Sequence, residues 1–290
     1  MKLICIIIVV FVLVLIVCSL ILNRIMFQTV KTVNQQNCHE QYTDKNSRIS
    51  FKSGKNLLNG YIYGTENKAG IVIISHGMGV TSDYYIPEVL WLVEHGYMVM
   101  AFDNTAYRDN QGRFCGISQA VYDLRAAIWY AERYGLPITL FGHSMGGYAV
   151  CAVLNYADVT VDRVVSVAGF ASIREIMHFY AITNIKKFSS LIELLILIAQ
   201  FICFGKVNKF SAIDGINKSD SKIVIAQGKN DKEVLCDTVS IYSKQEVLRK
   251  SNIQYLLFDD GIRSTHMGIV RGDADEMINE SLLRKVIADA

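Results

Sequence analysis

One short stretch constrains this chain more than any other: Leu140-Phe141-Gly142-His143-Ser144-Met145-Gly146-Gly147. An apolar run, Ile138 to Phe141, enters it, and a helix-compatible run, Gly147 to Leu154, leaves it. Gly-x-Ser-x-Gly between a strand and a helix is a sharp turn that strains the serine backbone, so the flanking positions must be small. The turn lifts the Ser144 hydroxyl clear of the sheet, at a helix N-terminus that favours developing negative charge. The competing reading is a tight turn in another α/β protein, with Ser144 a plain exposed polar residue.

A chain of 290 residues suits one large α/β domain, or one domain with an insertion. The formal net charge of +2 argues against a polyanionic partner, nucleic acid included. The hydrophobic content of 51% is high for a soluble protein, and one segment accounts for much of it. Leu3 to Leu22 is apolar throughout if Cys5, Cys18 and Ser19 are allowed. As a helix it would rise about 30 Å, the thickness of a bilayer core. Val17-Cys18-Ser19 makes a poor signal-peptide cleavage site, and the apolar run continues past it. An uncleaved single-pass anchor over residues 1–24 is therefore predicted. A buried core helix is disfavoured because the run has no polar face. Lys2 on one side against Arg24 and Lys31 on the other leaves orientation nearly tied. An extracytoplasmic catalytic domain is the working expectation. Outside the anchor, Cys38, Cys115, Cys151, Cys203 and Cys236 are an odd number without metal-ligand spacing, which predicts neither a disulfide framework nor a zinc site.

Residues 25–46 read as a polar linker, and 47–290 as the folded domain. Two short strands, Ile49–Phe51 and Leu57–Tyr63, flank a turn at Ser53-Gly54-Lys55-Asn56. An alternation of strand and helix follows. Strands are predicted at Gly70–Ser75, Tyr97–Phe102, Ile138–Phe141, Val161–Val167, Lys222–Gln227 and Ile253–Phe258. Helices are predicted at Ile86–His95, Ser118–Tyr134, Gly147–Leu154, Val239–Arg249 and Asp275–Ala288. Continuous β-branched strands alternating with helices imply a mostly parallel sheet covered on both faces. An insertion over about 171–215 interrupts this, with the apolar helix Leu191–Phe204 inside it and lysines 186, 187, 206 and 209 around it. That helix reads either as a cap that walls an acyl site and meets the bilayer surface, or as a core helix.

A serine hydroxyl needs a base, and the base needs an orienting acid. Downstream of Ser144 the only histidines are His178, inside the insertion, and His266, just past the last strand. His266 is the candidate base. Asp231 leaves the C-terminal end of the Lys222–Gln227 strand, where open α/β sheets gather their chemistry, and is the candidate acid. Asp259 and Asp260 are its rivals. An oxyanion hole needs two backbone N–H donors. The amide of Met145 follows the serine, and the amide of Met78 lies in Ser75-His76-Gly77-Met78-Gly79, after a strand.

With these residues in view, residues 47–290 resemble the α/β-hydrolase superfamily, and most the monoacylglycerol-lipase and serine-aminopeptidase-like branch. The resemblance rests on His76-Gly77-Met78-Gly79, Gly142-His143-Ser144-Met145-Gly146-Gly147, Gly228 with Asp231, and His266. It implies an eight-stranded, mostly parallel sheet with a helical cap after the sixth strand. It also implies esterase, lipase, thioesterase or peptidase activity without metal or organic cofactor. The chain departs from the branch at Asp103 to Gly112, where relatives often carry Asp-x-Arg-Gly-x-Gly-x-Ser. Substrate class therefore transfers less well than mechanism. The expected function is a membrane-anchored serine hydrolase that cleaves carboxylic esters of acyl or lipid type. The alternatives are a peptidase or amidase, an acyltransferase, and a non-catalytic binding module on the same fold.

Overall fold

The computed structural model describes residues 2–28, 38–184, 188–271 and 278–287. The strands are β1 (Asn46–Ser53), β2 (Asn56–Tyr63), β3 (Ile71–Ser75), β4 (Met98–Phe102), β5 (Ile138–His143), β6 (Arg163–Val167), β7 (Lys222–Gly228) and β8 (Ile253–Phe258). They form one sheet in the order β1-β2-β4-β3-β5-β6-β7-β8. β1 and β2 are an antiparallel hairpin closed at Ser53 and Asn56, and β2 runs antiparallel to β4. Every other pairing is parallel. The runs Ile71–Ser75, Met98–Phe102 and Ile138–His143 are buried at every position. Strands covered on both faces carry continuous apolar residues rather than an alternation.

Two apolar cores sandwich the sheet. One gathers Phe51, Leu140, Leu124 and Val150 under α3 (Ser118–Ala131) and α4 (Met145–Ala152). The other gathers Val72, Phe141, Val89 and Leu283 under α2 (Ile86–Glu94) and α8 (Glu280–Ile287). Among the described residues the insertion between β6 and β7 holds three α-helices: α5 (Ile173–Asn184), α6 (Ser189–Phe204) and α7 (Ala212–Lys218). Ser211 caps α7, its hydroxyl accepting from the amides of Ile213 and Asp214 at 3.1 and 3.3 Å. α7 packs on α4, so it returns the chain to the body of the domain.

Three expectations are amended. The helix expected over Val239–Arg249 is only a kinked 3-10 segment, Tyr242–Val247. Ser240 and Ser243 spend their hydroxyls on nearby backbone carbonyls, Cys236 and Thr238 among them, at 2.5 and 3.0 Å. Such local bonds compete with helical pairing. The last helix begins at Glu280; residues 275–277 and 288 of the expected span lie outside the described residues.

The polar segment before the domain is also more structured than its composition suggests. The N-terminal helix α1 spans Lys2–Gln28, running past the expected boundary at residue 24. Residues 29–37, which include Lys31, lie outside the described residues, as do Lys186 and Lys187. Cys38–Tyr42 is a 3-10 turn with His39 fully buried. His39 Nδ1 meets the Tyr63 hydroxyl at 2.7 Å, and His39 Nε2 lies 2.9 Å from Asp83 Oδ1.

Candidate active site

β5 delivers the chain into the elbow, and α4 takes it away. Ser144 sits between them at φ 57°, ψ −116°, a region costly for any residue with a side chain. The neighbours show why the chain tolerates nothing larger. A Cβ on Gly146 would lie 1.9 Å from the carbonyl oxygen of Ser75, and one on Gly142 would lie 2.2 Å from the carbonyl oxygen of Gly146. The turn is pressed against the end of β3, whose Ser75 pairs with Gly142. β3 is where the strand order reverses: β4 lies on one side of it and β5 on the other. Such a crevice at the C-terminal ends of the strands is where open α/β sheets bind ligands.

His266 and Asp231 arrive at the same crevice from loops after β8 and β7. His266 Nε2 is 2.9 Å from Ser144 Oγ, and His266 Nδ1 is 2.7 Å from Asp231 Oδ2. Ser144 is part-exposed, whereas His266 and Asp231 are buried. Asp231 is held by three further donors. Its Oδ1 accepts from the amides of Glu233 and Val234 at 2.9 and 2.8 Å, and its Oδ2 accepts from Gln227 Nε2 at 3.1 Å. A carboxylate this well satisfied has one orientation in which to receive an imidazole N–H. Asp259 and Asp260 are exposed, and the buried position beside His266 belongs to Asp231. His178 lies on α5 and binds Glu193 of α6 at 2.7 Å, a link within the cap.

The loop after β3 lies directly over the serine. A Cβ on Gly77 would come within 3.4 Å of Ser144 Cβ. The Gly77 amide donates to the Tyr85 hydroxyl at 3.2 Å, and the Gly79 amide donates to the Tyr107 hydroxyl at 3.4 Å. Met78 stands between these two engaged amides. Met145 opens α4, where the first-turn amides have no partner inside the helix. His76 is buried and its pKa is lowered by that burial. Its Nδ1–H donates to the Gly77 carbonyl at 2.8 Å and its Nε2 accepts from the Asn104 amide at 3.0 Å, so it shapes the loop from beneath.

His143, the variable residue of the elbow, holds a second buried chain. Burial pushes its pKa down to about 3, so the ring is neutral with one donor and one acceptor nitrogen. The carbonyl of His266 can only accept, so His143 Nε2–H donates to it, at 2.9 Å. His143 Nδ1 then accepts from the Tyr85 hydroxyl at 2.9 Å. Gly77, Tyr85, His143 and His266 are thereby linked through one run of hydrogen bonds. Sequence reasoning missed Tyr85, Gln227 and this role of His143. Gln227 alone left a trace, as a polar residue following the apolar run Ile223–Ala226.

The divergent loop after β4 is tied down by charge. Arg108 Nε donates to Asp103 Oδ2 at 2.8 Å, and Arg108 Nη2 lies 2.9 Å from Asp83 Oδ2. Burial opposes the ionised form of Asp83, but His39 and Arg108 outweigh it and hold the carboxyl below its usual range. Among the described residues no cluster of His, Cys, Asp or Glu is arranged to hold a metal ion. A cavity of about 900 Å³ opens among Ala69, Pro137, Asp162 and Lys222. Those residues lie at the N-terminal ends of the strands, the pole opposite Ser144, so the cavity is unrelated to this site.

The family model for serine aminopeptidases of type S33 matches residues 66–290. The chain belongs to this family. Its S33 domain is an α/β hydrolase, as its solved structural neighbours also are. The esterase Pf2001 of Pyrococcus furiosus superposes with a TM-score of 0.60 at 16% identity, over 81% of this chain and 88% of the other. The α/β hydrolase GrgF from Penicillium sp. sh18 gives 0.60 at 15%, over 84% and 99%. The acylaminoacyl peptidase of Pyrococcus horikoshii gives 0.58 at 17%, over 79% of this chain and 38% of its own. At these identities the likeness carries the fold. No curated protein matches this S33 hydrolase in sequence.

Proposed function

We propose that this protein is a membrane-anchored serine hydrolase that cleaves carboxylic esters of acyl or lipid type. The observation that carries the reading is the hydrogen-bonded chain Ser144–His266–Asp231. In this mechanism Ser144 Oγ attacks the acyl carbonyl as His266 Nε2 takes its proton. Asp231 holds the Nδ1–H tautomer and stabilises the imidazolium. The amides of Met78 and Met145 donate to the oxyanion, each worth about 2.7–4 kcal/mol in such sites. The tetrahedral adduct collapses, His266 passes its proton to the departing alcohol, and an acyl-enzyme remains. Water, deprotonated by the same imidazole, releases the acid and restores Ser144. No metal or organic cofactor enters these steps. The apolar helix α6 in the cap and the apolar α1, read as an uncleaved anchor, favour acyl substrates over compact polar ones.

The test is hydrolysis of nitrophenyl esters from acetyl to palmitoyl by the full-length protein in detergent, intact and as Ser144→Ala. Activity that peaks at medium or long chains and vanishes in the variant supports the reading. Folded protein inactive at every length overturns it.

One observation favours a second reading, an aminopeptidase. The side chain of Glu233 is 59% exposed, and its carboxylate is 3.6 Å from His266 Nε2. An acidic group at the mouth of the site can receive the amino terminus of a peptide. Aminoacyl anilides separate the two readings: cleavage that weakens chiefly through KM in Glu233→Gln favours the peptidase.

A further inference from the structure

We infer that the cap helix α6 enters the membrane beside α1, with its Leu191, Leu194 and Ile202 face against the acyl chains of one leaflet. The inference rests on the reading of α1 as an anchor, and it begins with a conflict of lengths. The most apolar 18-residue stretch of α1 has a mean hydropathy of 3.7, and the helix is long and apolar enough to cross a membrane. Yet its C-terminal half does not stand free. Ser19, Asn23 and Phe27 are buried, and Leu15, Ile16, Leu20 and Leu22 are partly covered.

That half is covered by α6, with Phe114 and Cys115 of the loop before α3 beneath its last turns. The two helices are joined by polar contacts as well as apolar ones. Gln200 Nε2 donates to Asn23 Oδ1 and to the Cys115 carbonyl, both at 2.6 Å, and Asn23 Nδ2 donates to that carbonyl at 2.9 Å. The freely exposed part of α1, Lys2 to Val14, rises only about 20 Å, against a bilayer core of about 30 Å. The rest of the crossing must come from residues already packed on α6. If α1 spans while its contacts persist, α6 is carried to the same depth.

α6 is built for that position. Ile196, Ala199, Gln200 and Phe204 are buried towards α1 and the domain. On the other side Leu191, Leu194 and Ile202 are 50%, 52% and 48% exposed. At 3.6 residues per turn these three fall on one stripe. Glu193, the only acid of the helix, lies off that stripe and is engaged by His178. Ile21 and Ile25 of α1 are also exposed, at 54% and 62%, on the side of α1 turned away from the buried Ser19, Asn23 and Phe27. An exposed apolar helix face marks a membrane or protein contact. The direct packing of α6 on α1, the helix read as the anchor, selects the membrane. Lys206 and Lys209 follow α6 and are exposed, and Lys209 Nζ lies over the Phe201 ring, 5.5 Å from its centroid. Cations on long stems at the end of an apolar helix suit phosphate headgroups.

The test is photolabelling of the unaltered full-length protein in phosphatidylcholine vesicles that carry a diazirine on the acyl chain, with adducts mapped by mass spectrometry. Val247 and Leu257, exposed apolar residues elsewhere on the domain, are internal controls. Adducts on both α1 and the Leu191–Ile202 face, with the controls unlabelled, support the inference. Adducts on α1 alone overturn it and leave the anchor intact. Absence of adducts from both helices overturns the anchor and the inference together.

Discussion

Ser144 holds a backbone conformation that costs roughly 1–3 kcal/mol and that only the surrounding packing maintains. Replacing it with Ala removes the hydroxyl and leaves that packing in place. Turnover of an activated ester should fall by about 10⁴–10⁶, while the thermal midpoint stays within a degree or two of the parent by calorimetry. Asp231→Asn should cost about 10⁴ in kcat, because the amide presents the wrong partner to His266 Nδ1. Asp259→Asn should leave kcat essentially unchanged; comparable losses in the two variants would remove Asp231 from its assigned role. The positions of Ser144, Asp231 and His266 were legible because each follows a strand in a fixed order. Gln227, Tyr85 and His143 were not, because their partners are set by tertiary approach. Nothing in the local sequence announces that a tyrosine before α2 will reach a histidine at the end of β5.

At the scale of elements, the elbow is a packing solution as much as a catalytic one. Gly146→Ala would drive a methyl group into the carbonyl of Ser75. We expect a loss of more than about 3 kcal/mol, beyond the usual range for a point change, read as a fall in denaturant midpoint or failure to accumulate folded protein. The parallel strands were legible to within two residues, since buried parallel strands write themselves as continuous apolar runs, whereas the antiparallel β1 runs five residues longer than the expected Ile49–Phe51. The kinked segment Tyr242–Val247 was misread because Ser240 and Ser243 bind backbone, a choice that apolar spacing does not record. His39 was read as part of a linker because its neighbours are polar. Its burial depends on Tyr63, Ser82 and Asp83, which lie far off in sequence.

For the whole molecule, two buried groups pull its pH dependence in opposite directions. Burial, opposed by Arg271, pushes the Glu88 carboxyl up to about 7. Its contribution to stability is complete below about pH 4.5 and is lost as pH rises through 7. His143, lowered to about 3, stays neutral in the fold while the unfolded chain binds a proton below about pH 6.5. Its contribution is complete above that value and is lost as pH falls towards 3. Between about pH 4.5 and 6.5 the two slopes oppose one another. Glu88→Gln keeps a polar group for Arg271 and removes one slope. The variant should lose roughly 2–3 kcal/mol more than the parent on acidification across that window, measured by urea unfolding. An unchanged slope would mean that Glu88 is ionised throughout. The mostly parallel sheet covered on both faces was legible from the alternation of elements, but this balance was not, since Glu88 looks like any surface residue of α2. The chain from Gly77 through Tyr85 and His143 to the carbonyl of His266 also bears on how such a sequence can drift over time. Tyr85→Phe alone strands an imidazole nitrogen and the Gly77 amide, and His143→Leu alone strands a hydroxyl and a carbonyl, each group at about 1–3 kcal/mol. Descendants that change one of these positions should survive chiefly when the other has changed too, leaving residues 85 and 143 to be inherited as a pair.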